Sequence, residues 1–369
     1  MARNRVIYQS EALYVSEEAA STASGNHKQL ERVQSANYSF SIARQDINQY
    51  GTLSRIDTMI LEAPTVNMDI SYYLTDGYNE KQLGFATNGT KGFLSGHMIN
   101  SAGKNLYIVT SKEGFDANGS ATANDPFPSI GLGNAYLTNY GLEVAVGAIP
   151  TVSVSFEASN ICSTSDSSIN GAGTAITGVT QPAVNQEDGS ILTTTKATLP
   201  VPITGVSTAT ALRPGDVTLT FGGFTAAGTG LAAPMNQFSG VTGMHIQSAS
   251  LSVPLNRTPL QRLGSKFAYA RAVDFPIKAT LSVKAIVNEI TARNLAAMIN
   301  DSVEKDITLT LKDEANAAKS IFTLKACTLD SESISSSIGS NKSVDLTFST
   351  QVGGIDDSTK GIFYSGTTP

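Results

Sequence analysis

Apolar and small polar residues alternate along several stretches of the chain, as they do in a β-strand with one buried face. The clearest stretch, residues 33–51, reads VQSANYSFSIARQDINQYG, and residues 246–264 read IQSASLSVPLNRTPLQRLG. The two align without a gap at an offset of 213, the distance from Val33 to Ile246. Each passes through a polar segment to a glycine, Gly51 or Gly264, where the chain can turn. The pattern predicts one strand-and-turn unit that occurs twice.

Three later segments repeat in the same order. Residues 66–73 (VNMDISYY) match 280–285 (TLSVKA), residues 106–113 (LYIVTSKE) match 307–314 (ITLTLKDE), and residues 142–156 match 334–348. The last pair keeps a glycine at equivalent positions, Gly147 and Gly339. Because four matches follow in one order, the sequence indicates an internal duplication.

The duplication predicts a mainly β fold with two tandem β-sandwich or barrel domains, each with one short helix, plus a Ser/Thr/Gly-rich β insertion. The predicted boundaries are an N-terminal arm at 1–29, a first domain at 30–162, an inserted linker or small β subdomain at 163–243, a second domain at 244–353 and a C-terminal tail at 354–369. The helices are expected at 77–86 and at 291–302, the second with an apolar stripe of Leu295, Met298, Ile299 and Val303.

Separate predictions apply to three less regular segments: the insertion, the N-terminal arm and the C-terminal tail. The insertion contains β-like runs at 197–204 and 216–221, so a linker and a small β excursion both stay open. Residues 5–16 are expected to form a strand or an extended arm that packs on a neighbour through Val6, Tyr8, Leu13 and Tyr14. The C-terminal tail reads as too polar for a core strand, and its apolar triplet is expected to clip onto another subunit: Ile362, Phe363 and Tyr364.

Composition limits the class of protein. The 369 residues are 41% hydrophobic and 15% charged, which is typical of a folded chain with a low charge density. The net charge of −6 argues against a surface that binds nucleic acid by neutralising phosphates. No apolar run has the length of a signal peptide or a membrane span, so we expect a chain that is made in the cytoplasm and has no membrane partner.

The sequence contains no arrangement that indicates catalysis. Its three histidines, His27, His97 and His245, have no metal-hydrolase spacing, and its two cysteines, Cys162 and Cys327, form no paired motif. Neither a GxSxG elbow nor a phosphate-binding glycine loop occurs. Acidic runs lack the spacing of a calcium loop. We therefore expect no enzymatic activity, no cofactor and no bound metal.

The polar side of the predicted strands is lined by short hydroxyl, amide and carboxylate groups. Its members are Ser39, Ser41, Asn67, Asp69 and Ser71 in the first repeat, and Ser250, Ser252, Thr280 and Ser282 in the second. One interpretation is the ordinary solvent-exposed face of a half-buried sheet. The other is that strands from several domains join edge to edge into a closed barrel whose interior is this face. Closure would also remove exposed sheet edges.

In these segments the sequence resembles the major tail-tube proteins of phages. The resemblance rests on two long alternating strands at 33–42 and 65–74, the turn-rich stretch between them, a helix, and a closing strand at 152–156 after Gly147, and it recurs over 244–352. Members of that family, similar in fold to the Hcp protein of type VI secretion, form hexameric rings whose inner β-barrel conducts the genome. A duplicated chain is similar to those members in which three two-domain subunits form a pseudo-hexameric ring.

The resemblance implies roles for particular residues. The polar residues above would line the lumen, with twelve lumen strands from three copies if each domain gives two, and Lys284 is a discordant group on that wall. Rings would stack through charged residues after the first strand of each repeat: Arg44, Asp46, Arg55 and Asp57 in the first, and Arg257, Arg262 and Lys266 in the second.

The resemblance also implies partners and a location. Partners would be other copies of the chain in stacked rings, which are trimers by analogy, and other tail proteins such as the sheath, terminator or baseplate. DNA would pass through without specific binding, and the location would be the virion tail, assembled in the bacterial host cytoplasm. Two other classes of function stay open. A virion surface-decorating or receptor-binding β protein would use the Ser/Thr-rich insertion, and an enzyme would need a site that no motif indicates.

Overall fold

A computed structural model of the chain describes residues 11–18, 23–99, 103–111, 114–117, 124–202, 212, 217–222, 244–265, 267–287, 304–335, 337–339 and 341–366. Within these residues the fold is mainly β. The strands of the first half are β1 Glu11–Glu17, β2 Lys28–Gln29, β3 Val33–Ser41, β4 Arg44–Ile47, β5 Asp57–Ile60, β6 Thr65–Tyr73, β7 Lys104–Thr110, β8 Ser129–Ala145, β9 Thr151–Ala158, β10 Asn160–Thr164, β11 Ser168–Ile169, β12 Ala175–Val179 and β13 Ala197–Pro200. Those of the second half are β14 Val217–Gly222, β15 Met244–Pro254, β16 Arg257–Leu260, β17 Ala270–Val273, β18 Lys278–Val287, β19 Lys305–Lys312, β20 Ala318–Ser335, β21 Ser343–Gln351 and β22 Gly361–Gly366.

Eight strands form one continuous antiparallel sheet in the order β3-β6-β9-β8-β15-β18-β21-β20. The sequence alternation produces its two faces, because successive side chains of a strand point to opposite sides. In β6, Val66, Met68 and Ile70 are buried, whereas Asn67 and Asp69 are exposed. Since β8 pairs with β15, the sheet runs unbroken from one half of the chain into the other, and each half contributes four strands.

Strand pairing follows the same register in the two halves. Ala36 on β3 pairs with Ile70 on β6, and the residues 213 positions later, Ala249 on β15 and Val283 on β18, pair in the same way. The offset that aligns the two sequences therefore also aligns their strand partners.

An irregularity of the sheet recurs at the equivalent place. The pairing of β8 with β9 shifts between Leu137 and Asn139. The pairing of β20 with β21 shifts between Leu329 and Ser331, which lie 192 positions later. A β-bulge is a specific local feature of a strand pair, so its recurrence extends the likeness of the two halves beyond the general strand order.

Further strands flank the eight-stranded sheet at equivalent places in the two halves. β1 pairs with β7 as β14 pairs with β19, and β10 pairs with β8 as β22 pairs with β20. The prediction of a tail that clips onto another subunit is wrong, because β22 is a core strand of its own chain with Ile362, Phe363 and Tyr364 buried. A short strand can be covered on both faces, so the polar residues around this triplet do not exclude it from the core.

The N-terminal segment likewise packs within its own chain. β1 confirms a strand within residues 5–16, but Leu13 and Tyr14 are buried against their own sheet and not on a neighbour. Val6 and Tyr8 lie outside the described residues. The two faces of β1 belong to different apolar clusters, with Leu13 in the main core and Tyr14 in a second one.

Residues 163–202 fold onto the first half. β11, β12 and β13 form a separate three-stranded sheet, and its Ile176 and Leu199 share the second apolar cluster with Tyr14 and Tyr107. The Tyr14 hydroxyl donates a hydrogen bond to the carbonyl oxygen of Pro200, at 2.9 Å. Strands occur at both predicted places as β13 and β14, so the described part of this region is an ordered β structure.

The described part of the first half contains two short α-helices, α1 Tyr78–Leu83 and α2 Ser95–Ile99. α1 confirms the helix predicted within 77–86, while α2 had no sequence signal. Gly77 precedes α1 at φ 96°, and a Cβ there would lie 2.7 Å from the Tyr364 hydroxyl, so the position requires glycine. The helix predicted at 291–302 lies outside the described residues. Among the helices that the structure describes, none is long and apolar enough to cross a membrane.

Candidate functional site

The nine candidate polar residues lie on one face of the eight-stranded sheet, which we call the polar face. Ser39 pairs with Asn67, and Ser252 pairs with Thr280, so its members stand beside one another on neighbouring strands. All nine side chains are exposed or half-buried: Ser39, Ser41, Asn67, Asp69, Ser71, Ser250, Ser252, Thr280 and Ser282. The sheet thus assembles residues that are distant in sequence into one polar surface.

A row of small groups crosses the polar face from one half to the other. The register partners from β3 to β21 are Ser35, Ser71, Ser153, Gly141, Ser252, Thr280 and Ser349. The hydroxyl oxygens of Ser35 and Ser71 lie 2.6 Å apart, and Ser155 donates to Asp69 Oδ1 at 2.6 Å. The row itself is therefore polar and uncharged, and Asp69 beside it carries a carboxylate.

Two lysines on the polar face stand beside aspartates. Lys284 and Asp345 are register partners, with Nζ and Oδ1 4.0 Å apart, and Lys278 Nζ lies 2.7 Å from Asp330 Oδ2. Burial opposes the ionisation of Asp330, but hydrogen bonds from Lys278 and Ser349 outweigh it and lower the pKa of this carboxyl. The positive charge of Lys284, unexplained by the sequence, is therefore offset by its neighbour.

One outer edge of the sheet exposes apolar side chains whose equivalents are buried. Tyr38 and Phe40 on β3 are 42% and 62% exposed, although the equivalent Leu251 and Val253 on β15 are 2% and 0% exposed. The difference arises because β8 covers β15, whereas no described strand pairs with the outer edge of β3.

The opposite edge of the sheet also exposes an apolar side chain whose equivalent is buried. Ile334 on β20 is 41% exposed, although its equivalent Leu142 on β8 is 1% exposed. β15 covers β8 here, and no strand within the described ranges covers residues 328–335 of β20 on that side. The two edges therefore correspond to the two sides of the joint that β8 and β15 form inside the chain.

An aromatic cluster from both halves backs the β8–β15 joint. Phe93 and Tyr140 of the first half pack against Phe322 and Tyr364 of the second, with ring centroids 5.6 Å apart for Phe93 and Tyr364. The Phe93 amide also donates to the carbonyl oxygen of Ile362, at 2.7 Å. Tilted and edge-to-face aromatic pairs add to the energy of area burial, so this joint is a fixed part of the core.

A buried carboxyl group lies beside the cluster. Glu80 Oε1 accepts hydrogen bonds from Tyr72 at 2.8 Å and from Tyr140 at 3.4 Å, while Oε2 is buried without a hydrogen-bond partner among the described residues. Burial raises the pKa of Glu80 to about 7, although the two tyrosine hydroxyls act in the opposite direction. No sequence pattern marks this group, since one glutamate in a short helix is ordinary.

The charged residues predicted to stack rings lie mainly on two equivalent hairpins beyond one end of the sheet. The β4–β5 hairpin carries Arg44, Asp46, Arg55 and Asp57, and the β16–β17 hairpin carries Arg257 and Arg262. Arg55 Nη1 lies 3.0 Å from Asp46 Oδ1, and Arg262 pairs with Glu187. Lys266 lies outside the described residues.

Arg257 differs from the others because its side chain is half-buried in the joint. Its guanidinium group donates to the carbonyl oxygens of His97, Arg271 and Leu137 at 3.1, 3.2 and 3.4 Å. It also lies over the ring of Tyr136, 5.4 Å from the centroid. The sequence alignment shows that Arg257 is equivalent to Arg44, but only the contacts at the β8–β15 joint explain where its guanidinium group lies.

The described residues offer no cluster of metal-binding side chains. No three His, Cys, Asp or Glu side chains cluster there as metal ligands would. Burial, Arg257 and Lys104 lower the pKa of His97 to about 3, so its imidazole is neutral near pH 7. Burial raises the pKa of both thiols, Cys162 and Cys327, which keeps them protonated and weakly nucleophilic.

No protein-family model matches the chain, and no curated protein matches its sequence. Its function has to be inferred from the repeat and from the geometry of the sheet.

Proposed function

We propose that this chain is a structural subunit that closes into rings by sheet extension and forms the tube of a phage tail. The observation that carries the proposal is the β8–β15 joint, together with two outer edges whose exposed apolar residues have buried equivalents in that joint. If β20 of one copy pairs with β3 of the next in the same register, Ile334 meets Tyr38 and Ser333 meets Ser39. Pairing would cover both exposed edges, which otherwise favour aggregation.

Such a joint is head-to-tail, and repeated pairing then closes a ring when the rotation permits. Three copies, the number implied by the tail-tube resemblance, give six equivalent units. Three copies of the eight-stranded sheet give a barrel of 24 strands, twice the number expected from two strands per unit. A closed barrel leaves no sheet edge open.

We propose that each tail-tube-like unit is longer than the sequence repeat indicates, with one unit at 11–164 and the other at 217–366. The equivalent pairings of β1 with β14, and of β10 with β22, support these limits. The three-stranded sheet of β11, β12 and β13 is then an insertion carried by the first unit.

The polar face suits the lumen of a DNA conduit. The other face of the sheet is already packed into the main apolar core of the chain, so ring closure would leave the polar face inside. Lys278 and Lys284 stand beside aspartates, while Asp69 and Glu143 add negative charge to the wall. A wall without unpaired cations avoids the phosphate contacts that would hold DNA in place.

The two ends of the sheet suit the stacking of rings. At one end the hairpins fully expose Tyr50 and its equivalent Leu263, and at the other the turns expose Val146 and its equivalent Ile338. The antiparallel strand order puts the hairpins and the turns at opposite ends. Stacking in a single direction would bring the hairpin tips of one ring, with their charged residues, against the turns of the next.

In this proposal the chain acts in the virion tail after assembly in the bacterial host cytoplasm. Its partners are other copies of itself and tail proteins such as the sheath, terminator or baseplate, while DNA passes through without specific binding. The proposal includes no catalytic step and no cofactor. A surface-decorating or receptor-binding role is the alternative, and it requires no tube.

Negative-stain electron microscopy of the purified full chain tests the proposal. Hollow rods or stacked rings are expected, whereas monomers or compact trimers that never stack would contradict it. A cysteine pair tests the register of the joint. Ser333→Cys with Ser39→Cys should give disulfide-linked oligomers on oxidation, and the out-of-register control, Ser333→Cys with Ser35→Cys, should not.

A further inference from the structure

Arg257 locks the joint inside the chain. It belongs to the second half, yet two of its hydrogen-bond acceptors, the carbonyl oxygens of Leu137 and His97, belong to the first. With Tyr136 and Leu137 it lines a cavity of about 200 Å³. Guanidinium hydrogen bonds are charge-assisted, and the five N–H donors of arginine can serve several carbonyls at once. The side chain therefore ties β16 of the second half to β8 of the first.

Arg44 is the equivalent of Arg257 in the first half. Arg44 pairs with Ile60 across its hairpin as Arg257 pairs with Val273, at the same offset of 213. Arg44 follows β3, and no described strand covers the outer edge of β3. Its side chain is exposed and makes no hydrogen bond or ion pair within the part of the chain that the structure describes. A single copy thus presents this arginine without the two acceptors that Arg257 finds in the other half.

A second cavity lies beside β20, and it shares one equivalent lining residue with the cavity of Arg257. Its volume is about 300 Å³, and its wall includes Thr328, the equivalent of Tyr136. The same bulge follows in both strands, after Leu137 in β8 and after Leu329 in β20. The cavity therefore begins at the sheet edge that would meet β3 of the next copy, and it extends over Ser349 and Lys278 on the strands behind that edge.

Two carboxylates line this second cavity, those of Asp330 and Glu304. They already pair with lysines, Asp330 with Lys278 at 2.7 Å and Glu304 with Lys360 at 3.2 Å. A carboxylate has about four acceptor positions, so each can also accept from a guanidinium group. The site is polar enough to receive a cation without leaving it unpaired.

We propose that Arg44 of one copy docks at the β20 edge of the next copy, beside this cavity, and donates to the carbonyl oxygen of Leu329. This inference rests on the proposed ring. It assigns Arg44 to the lateral joint between copies, and not to the stacking of one ring on another. The intramolecular contact of Arg257 with Leu137 is the template for the intermolecular one.

Arg44→Gln in the full chain tests the inference, with ring association measured by sedimentation velocity over a concentration series. Association is expected to weaken about tenfold or more, since each joint loses a charged hydrogen bond. The unfolding temperature of the dilute, unassembled chain should not change, because Arg44 is exposed there. Arg55→Gln is the matched comparison on the same hairpin: because Arg55 is assigned to stacking, this change should leave the association of chains into single rings unchanged and act only on the length of the stacks. Arg257→Gln should instead lower the unfolding temperature of the single chain.

The outcomes separate this inference from the proposed function. If Arg44→Gln rings associate as tightly as the unaltered protein, the docking of Arg44 is refuted and the ring still stands. Equal weakening by Arg44→Gln and Arg55→Gln also refutes it, since only the general charge of the hairpin would then matter. If Arg44→Gln gives unaltered rings but shorter stacks, the docking of Arg44 between copies is refuted and Arg44 is assigned to the stacking of rings. A full chain that forms no rings under any condition overturns both proposals.

Discussion

Leu142 on β8 and Leu251 on β15 are direct partners across the joint between the two halves, and both side chains are buried. Their equivalents at the outer edges, Ile334 and Tyr38, are about two-fifths exposed, at 41% and 42%. The repeat therefore contains this pair of positions twice: one pair is buried inside the chain, and the other is exposed at the two outer edges. Predictions for assembly and for stability can be separated on this basis.

Aspartate at two equivalent positions, one inside the β8–β15 joint and one at the outer edge, should affect different properties of the chain. Val253→Asp places a charge in the core and should lower the free energy of unfolding by roughly 4 kcal/mol or more. Phe40→Asp should cost the isolated chain less than about 1 kcal/mol, because Phe40 is 62% exposed, yet it should prevent ring formation. Urea unfolding and sedimentation velocity measure the two effects. Normal rings from Phe40→Asp would show that this edge is not a joint.

Replacement of the buried carboxyl group should remove a pH dependence. Burial raises the pKa of Glu80 from 4.5 in the unfolded chain to about 7 in the folded one, so the folded state holds a proton that the unfolded state has lost between these values. The free energy of unfolding should therefore be highest below pH 4.5 for this group and fall by about 3 kcal/mol as pH rises through 7.

Urea unfolding at pH values from 4 to 8 measures this slope in the unaltered chain and in Glu80→Gln. Glu80→Gln should lose most of the fall, while Glu187→Gln, an exposed control, should keep it. If the free energy of unfolding falls with pH as steeply in Glu80→Gln as in the unaltered chain, the pH dependence belongs to other groups.

Arginine on the polar face should make assembled tubes retain DNA. Ser39 and Ser252 occupy equivalent exposed positions, so Ser39→Arg with Ser252→Arg adds two cations per chain and should still permit folding and assembly. Added phosphate contacts should retain duplex DNA in a strongly salt-dependent way and slow genome ejection. Gel retention by assembled tubes at 50 and about 200 mM salt tests the first effect. Loss of folding would show that these serines are core residues.

Truncation of the aromatic cluster should destabilise the chain itself. Phe322 is fully buried against Phe93 and Tyr140, so Phe322→Ala should lower the free energy of unfolding by about 3–5 kcal/mol. Tyr269→Ala, at a 46% exposed position, is the control and should cost less than about 1 kcal/mol. Equal effects in urea unfolding would contradict a packed joint between the halves.

Local patterns predicted the strands and the faces correctly where a strand is buried on one side. Apolar and polar residues alternate over 66–72 in β6 and over 279–285 in β18, and the apolar residues of these stretches are those that the structure buries. Prediction failed where burial is two-sided or depends on distant partners. Phe363 and Tyr364 lie in a short polar tail, and only pairing with β20 makes that tail a core strand.

The sequence by itself determined the repeat, its strand period and the row of small polar groups, because side-chain alternation and internal likeness are properties of neighbouring residues. Only the tertiary structure decided that β8 joins β15, that Glu80 is enclosed by tyrosines, and that Arg257 crosses a joint which Arg44 leaves open. These features depend on contacts between segments far apart in the chain. No local period encodes such contacts, since they are fixed by which edges and faces must be covered once the strands have packed.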